Sequence, residues 1–141
     1  AWIDMAAEAL RSDGNNRNFR SAQVIETEPY GYLEQDKFLN TVFTFESLYE
    51  PEELLLRMQE IEKEAHRERK IHWGPRTLDL DLLLYDNRIT ESPVLTIPHP
   101  EMTKRLFVLI PLCELNPHGV HPLYRKRFAE YKEALEQQEN K

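Results

Sequence analysis

The segment HWGPRTLDLDLLLYD, residues 72–86, constrains the fold of this chain more than any other stretch. Leucines alternate with other residues through most of it, and such alternation predicts a β-strand whose successive side chains point to opposite faces. One face would carry the even-numbered leucines from Leu78 to Leu84, and the other would carry Asp79, Asp81 and Leu83. The two aspartates would then lie about 6.5–7 Å apart along the strand.

The paired aspartates have two explanations. Carboxylates that share one face repel each other and lose hydration, and a hard cation beside them removes both costs. Mg²⁺ favours one or two carboxylates together with water and substrate phosphates. Alternatively, the aspartate face of an amphipathic strand simply meets water, which is the commoner case for an isolated Asp-x-Asp.

The net charge and its distribution narrow the class of ligand that this chain could bind. The formal net charge is −7, which argues against a general nucleic-acid surface. Positive charge is nevertheless concentrated just before the aspartates, which suggests a small anionic ligand, although a solvated helix end would also favour cations. The basic residues are Lys63, Arg67, Arg69, Lys70 and Arg76.

The single cysteine and the lack of targeting signals in this sequence bear on its chemistry and on its expected location. There is one cysteine, Cys113, which we interpret as a buried small hydrophobic residue. With neither a membrane-spanning run nor a signal peptide in view, we expect a cytoplasmic protein that contacts no membrane.

The pattern along the chain predicts an α+β fold in one domain, residues 1–141. Apolar spacing indicates amphipathic helices over residues 1–11 and 50–66 and a third helix in the tail after residue 123. Residues 11–18 are typical of a turn, residues 21–28 and 38–47 of strands, and residues 105–115 of a helix or an extended run. This order favours an antiparallel sheet with helices.

Several classes of site are excluded by motif. No nucleophile elbow, zinc-protease helix or P-loop is present. His118 and His121 lack nearby metal-ligand partners, so we interpret them as turn residues. Paired aspartates, several arginines and an aromatic residue remain, and that inventory suits phosphoryl or pyrophosphoryl transfer.

Three blocks together carry a family resemblance. HWGPRTLDLDLLLYD, TIPHPEMTKRLFVLIPL and the upstream ETEPYGYLEQDKFLN resemble the 6-hydroxymethyl-7,8-dihydropterin pyrophosphokinases of folate biosynthesis. The resemblance implies a ferredoxin-like antiparallel sheet with helices on one side. It also implies transfer of pyrophosphate from ATP to the pterin, giving AMP and the pterin diphosphate, with two Mg²⁺ ions.

The resemblance also assigns the site residues, each by its position in a matching block. Asp79 and Asp81 would hold the metal and, with Arg67 and Arg76, would be catalytic. The ATP-binding set would be Gln59, Glu62, Arg69, Trp73, Arg76, Leu82, Thr96, His99 and Arg105. The pterin-binding set would be Thr27, Tyr30, Phe38, Asn40, Trp73 and Phe107.

One departure from the family concerns the start of the chain. Members begin with a strand that ends in a Gly-Ser-Asn turn, whereas this chain begins at Ala1, already within the first predicted helix. We therefore expect the first strand to be absent from the chain or supplied from outside, and a fusion to or association with another folate-pathway enzyme is compatible with this start.

Two other functions are compatible with the same motifs. The domain could be a binding module that has lost turnover, or it could transfer a different phosphoryl or nucleotidyl group. The intact set Asp79, Asp81, Arg67 and Arg76 favours the enzyme.

Overall fold

Helices and short strands alternate along the chain, which makes the fold α+β. The computed structural model describes residues 2–27, 38–68 and 78–139. In chain order the elements are α1 (Trp2–Ser12), β1 (Asn16–Ser21), β2 (Ile25–Thr27), β3 (Phe38–Asn40), β4 (Phe43–Ser47), α2 (Pro51–Glu68), β5 (Thr90–Glu91), β6 (Thr96–Ile97), a 3-10 turn (Met102–Lys104), α3 (Leu106–Leu115) and α4 (Phe128–Glu139).

The strands pair two by two. Strand β1 pairs with β4, β2 with β3, and β5 with β6. The β2–β3 pair is antiparallel, with Thr27 opposite Phe38 and Ile25 opposite Asn40. The β5–β6 pair is also antiparallel. Within the described residues, the antiparallel pairing expected from the sequence is therefore present as small two-stranded sheets.

The described chain divides into two compact units. The first contains residues 2–20, 43–68 and 78–81, and the second contains residues 21–27, 38–42 and 82–139. The expectation of a single domain remains a prediction.

The first unit is built on helices α1 and α2. In α1, Ala6 and Leu10 are one helical turn apart, and both are buried. They belong to a buried cluster that also contains Ile61, Ala65 and Leu78. The apolar spacing that predicted α1 therefore marks the face that the unit buries.

Helix α2 begins and packs as its sequence dictates. Pro51 occupies its first position, where the missing N–H costs nothing. The backbone N–H of Glu50 donates to the side chain of Glu53 at 3.0 Å, the reach-back half of a capping box. One stripe of the helix is buried, and it includes Met58 and Ile61. The predicted helix over residues 50–66 is confirmed.

The second unit has a core centred on α3. Its buried side chains come from three elements and two preceding segments: Ala22, Val42, Met102, Leu109, Leu112, Leu115 and Phe128. Phe128, the first residue of α4, is 1% exposed. The predicted tail helix is therefore confirmed, and it covers the apolar run that forms α3.

Two predicted elements differ from the structure, and one open choice is resolved by it. The predicted strand over residues 38–47 is two strands, β3 and β4, interrupted at Thr41 and Val42. The hydroxyl of Thr41 donates to the carbonyl of Ala22 at 2.9 Å, and Val42 is buried, so local contacts explain the interruption. The turn predicted over residues 11–18 ends earlier, because β1 begins at Asn16. The open choice for residues 105–115 is resolved as a helix, α3.

The length and apolar character of the helices bear on whether one of them could cross a membrane. Among the described residues, no helix is both long enough and apolar enough to cross a lipid bilayer.

Candidate functional site

The aspartate pair lies on a short segment of the first unit. Leu78 is buried, Leu80 is half-buried, and both contact the core of that unit. Asp79 and Asp81 are exposed. Alternation over residues 78–81 therefore presents the two carboxylates to solvent on one side of the segment while the leucines hold it from the other.

The predicted strand around the aspartates is wrong for its described part. Residues 78–85 belong to none of the strands, although their first four residues alternate as a strand would. The predicted alternation also fails at Leu83 and Leu84, since both pack against the core of the second unit. Among the described residues, no strand pairs with this segment to impose the regular pleat of a sheet.

Glu62 fixes the backbone of this segment. It lies on α2, and its Oε2 accepts a hydrogen bond of 2.7 Å from the backbone N–H of Leu80. Leu80 is the residue between the two aspartates, so this bond holds the peptide that connects them. A carboxylate acceptor makes the bond stronger than one between neutral groups.

The aspartate pair fits a Mg²⁺ site of the substrate-bridged kind. Among the residues that the structure describes, no cluster of three or more His, Cys, Asp or Glu side chains could hold a metal ion alone. Mg²⁺ nevertheless keeps several waters, and in nucleotide sites it uses one or two carboxylates plus phosphate oxygens. The exposed pair Asp79 and Asp81 supplies that number of carboxylates.

The remaining predicted residues of the first unit are only partly described. Gln59 is exposed on α2, three residues before Glu62. Arg67 lies in the last turn of that helix, and its side chain is outside the described residues. The assignments to Arg69, Trp73 and Arg76 also fall outside the described residues and remain predictions, as does the assignment to Tyr30.

His99 is the best-defined candidate in the second unit. Its backbone N–H donates to the carbonyl of Leu83 at 2.9 Å. Its Nδ1 accepts from the N–H of Glu101 at 3.1 Å. An imidazole that accepts at Nδ1 carries its proton on Nε2 when it is neutral, so Nε2–H is the donor that His99 can offer to a ligand oxygen.

Arg105 and Phe107 form a second feature of this unit at the start of α3. Arg105 immediately precedes the helix, and its guanidinium lies 5.6 Å from the ring centroid of Phe107. Both side chains are half-buried. This cation–π contact orients the arginine while leaving its N–H groups available to an anion. Thr96 is exposed on β6 and Leu82 is half-buried, and their assignment to ATP binding remains a prediction.

Thr27 and Asn40 are joined across the β2–β3 pair. Asn40 Nδ2 donates to Thr27 Oγ1 at 2.9 Å. The register of the pair puts Thr27 opposite Phe38 and Ile25 opposite Asn40. The side chain of Phe38 is outside the described residues. Two members of the predicted pterin set are therefore in direct contact.

Sequence reasoning missed two features. It placed Glu62 beside the nucleotide and gave no hint of its bond to Leu80, which is 18 residues away and has no local sequence signal. It also treated His121 as an ordinary turn residue, whereas His121 is 2% exposed. Cys113, predicted to be buried, is half-buried against the core of the second unit, and its burial raises the pKa of its thiol and so disfavours the reactive thiolate.

A cleft in the first unit contains none of the predicted site residues. It has a volume of about 330 Å³ and lies between α1 and α2. Its walls are Met5, Ala9, Arg57, Glu60, Ile61, Lys63 and Glu64. We give more weight to the aspartate segment, because its residues have chemistry suited to a phosphate substrate and this cleft has a mixed-charge rim.

Comparison with known proteins identifies the family. The family model described as 7,8-dihydro-6-hydroxymethylpterin-pyrophosphokinase matches residues 1–117. The chain is 40% identical over 109 residues to the 2-amino-4-hydroxy-6-hydroxymethyldihydropteridine pyrophosphokinase of Aquifex aeolicus, covering 77% of this chain and 68% of that protein. It is 46% identical over 94 residues to the protein of that name from Bacillus subtilis, covering 67% of this chain and 56% of the relative.

Longer relatives match as well. The chain is 43% identical over 111 residues to the bifunctional protein FolKE of Lactococcus lactis, covering 77% of this chain and 32% of that protein. It thus spans a third to two thirds of the length of these relatives. The family match covers most of the chain and includes the aspartate segment, His99 and the start of α3. This chain belongs to the 7,8-dihydro-6-hydroxymethylpterin-pyrophosphokinase family.

Proposed function

We propose that this chain transfers pyrophosphate from ATP to 6-hydroxymethyl-7,8-dihydropterin, giving AMP and the pterin diphosphate, in folate biosynthesis. The observation that carries the proposal is the exposed pair Asp79 and Asp81 on a segment that α2 holds in place, within the residues that match the family. A catalyst of phosphoryl-type transfer mainly positions groups and neutralises charge, and this segment is suited to both tasks.

Asp79 and Asp81 would hold Mg²⁺ in this proposal, and we propose two ions, as the family resemblance implies. When bound, these ions neutralise phosphate oxygens and lower the cost of charge build-up during transfer. The exposure of both carboxylates matters here, because substrate phosphates must complete the coordination.

Cationic and neutral donors would complete the recognition of the polyphosphate. The Nε2–H of His99 would donate to a phosphate oxygen, because its Nδ1 is already occupied by the N–H of Glu101. Arg105 would supply a planar fork of N–H donors that its contact with Phe107 pre-orients. We also propose, from the resemblance alone, that Arg67 and Arg76 stabilise charge on the transferring group.

The pterin would be recognised by an amide and an aromatic face. Asn40 uses one N–H on Thr27, which leaves its carbonyl and its second N–H for the donor and acceptor edge of a pterin. Phe107 is half-buried and offers a flat surface for stacking. The hydroxyl of the bound pterin would attack the β-phosphorus of ATP, and AMP would leave.

Three finer statements belong to the same proposal. The strands would form part of a ferredoxin-like sheet. The protein would work in the cytoplasm. It would also act beside other folate-pathway enzymes, a proposal supported by the relatives named bifunctional protein FolKE and folic acid synthesis protein fol1.

The test is the formation of AMP from ATP, Mg²⁺ and 6-hydroxymethyl-7,8-dihydropterin, measured by chromatography. We expect AMP and the pterin diphosphate in equal amounts, with none when the pterin is omitted. The variants Asp79→Asn and Asp81→Asn should each reduce kcat by at least about 100-fold, in the range of lost metal ligation or transition-state electrostatics. Their stability should change little, because both side chains are exposed.

The matched control is Asp86→Asn. Asp86 is exposed nearby and has a φ of 51°, a conformation that asparagine also tolerates. This variant should retain the full rate. The proposal is wrong if the folded wild-type protein forms no AMP, or if both aspartate variants turn over as fast as Asp86→Asn.

A further inference from the structure

Glu62 has a contact whose consequence goes beyond binding a nucleotide. Its Oε2 accepts the backbone N–H of Leu80 at 2.7 Å. The peptide that carries this N–H links Asp79 to Leu80, and Asp81 follows directly. A bond at this point therefore restricts the backbone torsions on both sides of Leu80, and these torsions set the distance and direction between the two carboxylates.

The support on which Glu62 stands is rigid. It lies on α2 next to Ile61, which is 2% exposed, and three residues before Ala65, which is fully buried. Both neighbours pack into the same cluster as Leu78. The contacts that hold the segment include the side chains of Leu78 and Leu80 in the core and the N–H of Leu80 on Glu62.

Within the described residues, the bond to Glu62 adds a backbone contact to the leucine contacts of this segment. Residues 78–85 pair with no strand among the described residues, although the carbonyl of Leu83 accepts from the N–H of His99. A side-chain carboxylate does for the Leu80 N–H what a neighbouring strand would do.

We propose that Glu62 is a positioning residue, whose carboxylate holds the Leu80 peptide so that Asp79 and Asp81 keep the geometry needed to share divalent cations. This inference rests on the proposed function, and it gives Glu62 a role that acts through the backbone. It predicts a defect in cation binding that an amide side chain can repair, since glutamine also offers an oxygen acceptor at that position.

The test compares Glu62→Ala, Glu62→Gln and the control Glu60→Ala. Glu60 is exposed on the same helix, so its removal deletes one carboxylate from α2 without touching the Leu80 contact. The first measurement is binding of Mn²⁺ to the full chain with a non-hydrolysable ATP analogue, followed by electron paramagnetic resonance. The second is hydrogen exchange of the Leu80 amide by NMR without any ligand. Neither measurement requires turnover.

We expect Glu62→Ala to weaken Mn²⁺ binding by about 10- to 100-fold, the usual effect of removing a group that orients metal ligands. The Leu80 amide should exchange faster in the same variant. Glu62→Gln should restore most of the Mn²⁺ affinity and the slow exchange, and Glu60→Ala should match the wild type. In steady-state kinetics, Glu62→Ala should raise the Mg²⁺ concentration for half-maximal rate and leave the KM for pterin unchanged.

Two results would overturn the inference. One is Mn²⁺ affinity in Glu62→Ala equal to that of the wild type. The other is equal loss of Mn²⁺ binding in Glu62→Gln and Glu62→Ala with the Leu80 amide still protected, which would make Glu62 a direct ligand. If Glu62→Ala does not fold, Glu62→Gln decides alone, because lost Mn²⁺ binding in that variant contradicts positioning and retained binding with a protected amide supports it. Failure of the proposed function is distinct, since it would appear as absent AMP formation by the wild type whatever the Mn²⁺ data show.

Discussion

The buried imidazole of His121 should make the stability of this protein depend on pH. His121 lies between α3 and α4 and is 2% exposed. Its Nδ1 accepts the N–H of Leu123 at 3.2 Å and the N–H of Tyr124 at 3.1 Å. The ring stacks on Tyr124 at a centroid distance of 4.5 Å and contacts the edge of Tyr131.

These contacts suit only the neutral imidazole. Protonation would place a hydrogen on Nδ1, where two N–H donors already point, and would bury a positive charge. Burial accordingly lowers the pKa of His121 below its ordinary value of 6.5. Lys126 is one charged group beside this cluster, and its Nζ lies 4.9 Å from the ring centroid of Tyr131. A cation there offers no compensation for an imidazolium.

The direction and size of the effect follow from proton linkage. Below about pH 6.5 the unfolded chain binds a proton at this residue and the folded chain does not, so the free energy of unfolding falls as the pH falls. One proton gives a slope of at most about 1.4 kcal/mol per pH unit. The loss begins near the unfolded pKa and ends once the pH is below the folded pKa. Above pH 7 the contribution is complete and constant.

The assay is urea unfolding followed by circular dichroism at pH 5, 6, 7 and 8, on the wild type and on His121→Asn. Asparagine can accept an N–H two or three residues ahead and does not titrate in this range. Carboxylates titrate in both proteins, so subtracting the two curves isolates His121, and His118→Asn is the control at an exposed position. The reasoning is refuted if the wild type and His121→Asn lose the same stability between pH 7 and pH 5.

Three further predictions concern other contacts. Gly119→Ala should lower the free energy of unfolding by about 1–3 kcal/mol, because an added Cβ would lie 2.9 Å from a ring carbon of Phe128. The measurement is urea unfolding, and an unchanged midpoint of the unfolding transition would contradict the prediction. Tyr49→Phe should lower the free energy of unfolding by about 1–2 kcal/mol at pH 7, because the Tyr49 hydroxyl donates to Asp13 at 2.6 Å and lowers the pKa of that carboxyl. This loss of stability should shrink as the pH falls through the folded pKa of Asp13. A loss that does not depend on pH would count against the prediction. His99→Asn should keep the fold and raise the KM for ATP by about tenfold, because asparagine retains an acceptor for the backbone N–H of Glu101 and lacks the Nε2–H donor. An unchanged KM for ATP would show that His99 is not part of the ATP site.

Periodicity predicted the helices well, because their burial repeats every three to four residues. The stripe of α2 and the pair Ala6 and Leu10 in α1 are buried as expected. The spacing of Phe128 and later residues likewise predicted α4, whose first residue is almost fully buried. In each case one face of a helix meets one core, which is the condition under which a pattern in sequence converts directly into structure.

The aspartate segment shows where this approach ends. The alternation of Leu78 to Asp81 correctly predicted which side chains face out, yet it could not reveal whether a partner strand is present. The alternation also predicted that Leu83 and Leu84 point to opposite faces, whereas both pack against one core in the structure. A β-strand forms by pairing with residues that are distant in sequence, whereas alternation is a property of neighbouring residues. The alternation of apolar and polar residues alone therefore could not decide whether this segment forms a strand.

The site was predictable in its residue types and less so in its contacts. The resemblance selected Asn40 and Thr27, and the structure joins them by a hydrogen bond. The bond between Glu62 and Leu80 and the burial of His121 depend on tertiary packing and have no trace in local sequence. The roles of Arg67, Arg76 and the aromatic residues near them remain predictions.

The burial of Phe128 has a consequence for how such chains can be joined to other proteins. The family match stops at residue 117, but the ring of Phe128 seals the apolar surface made by Leu109 and Leu112. A gene fusion that joins another sequence directly after residue 117 would therefore expose this apolar surface, which favours aggregation unless the added sequence supplies an apolar side chain in place of Phe128.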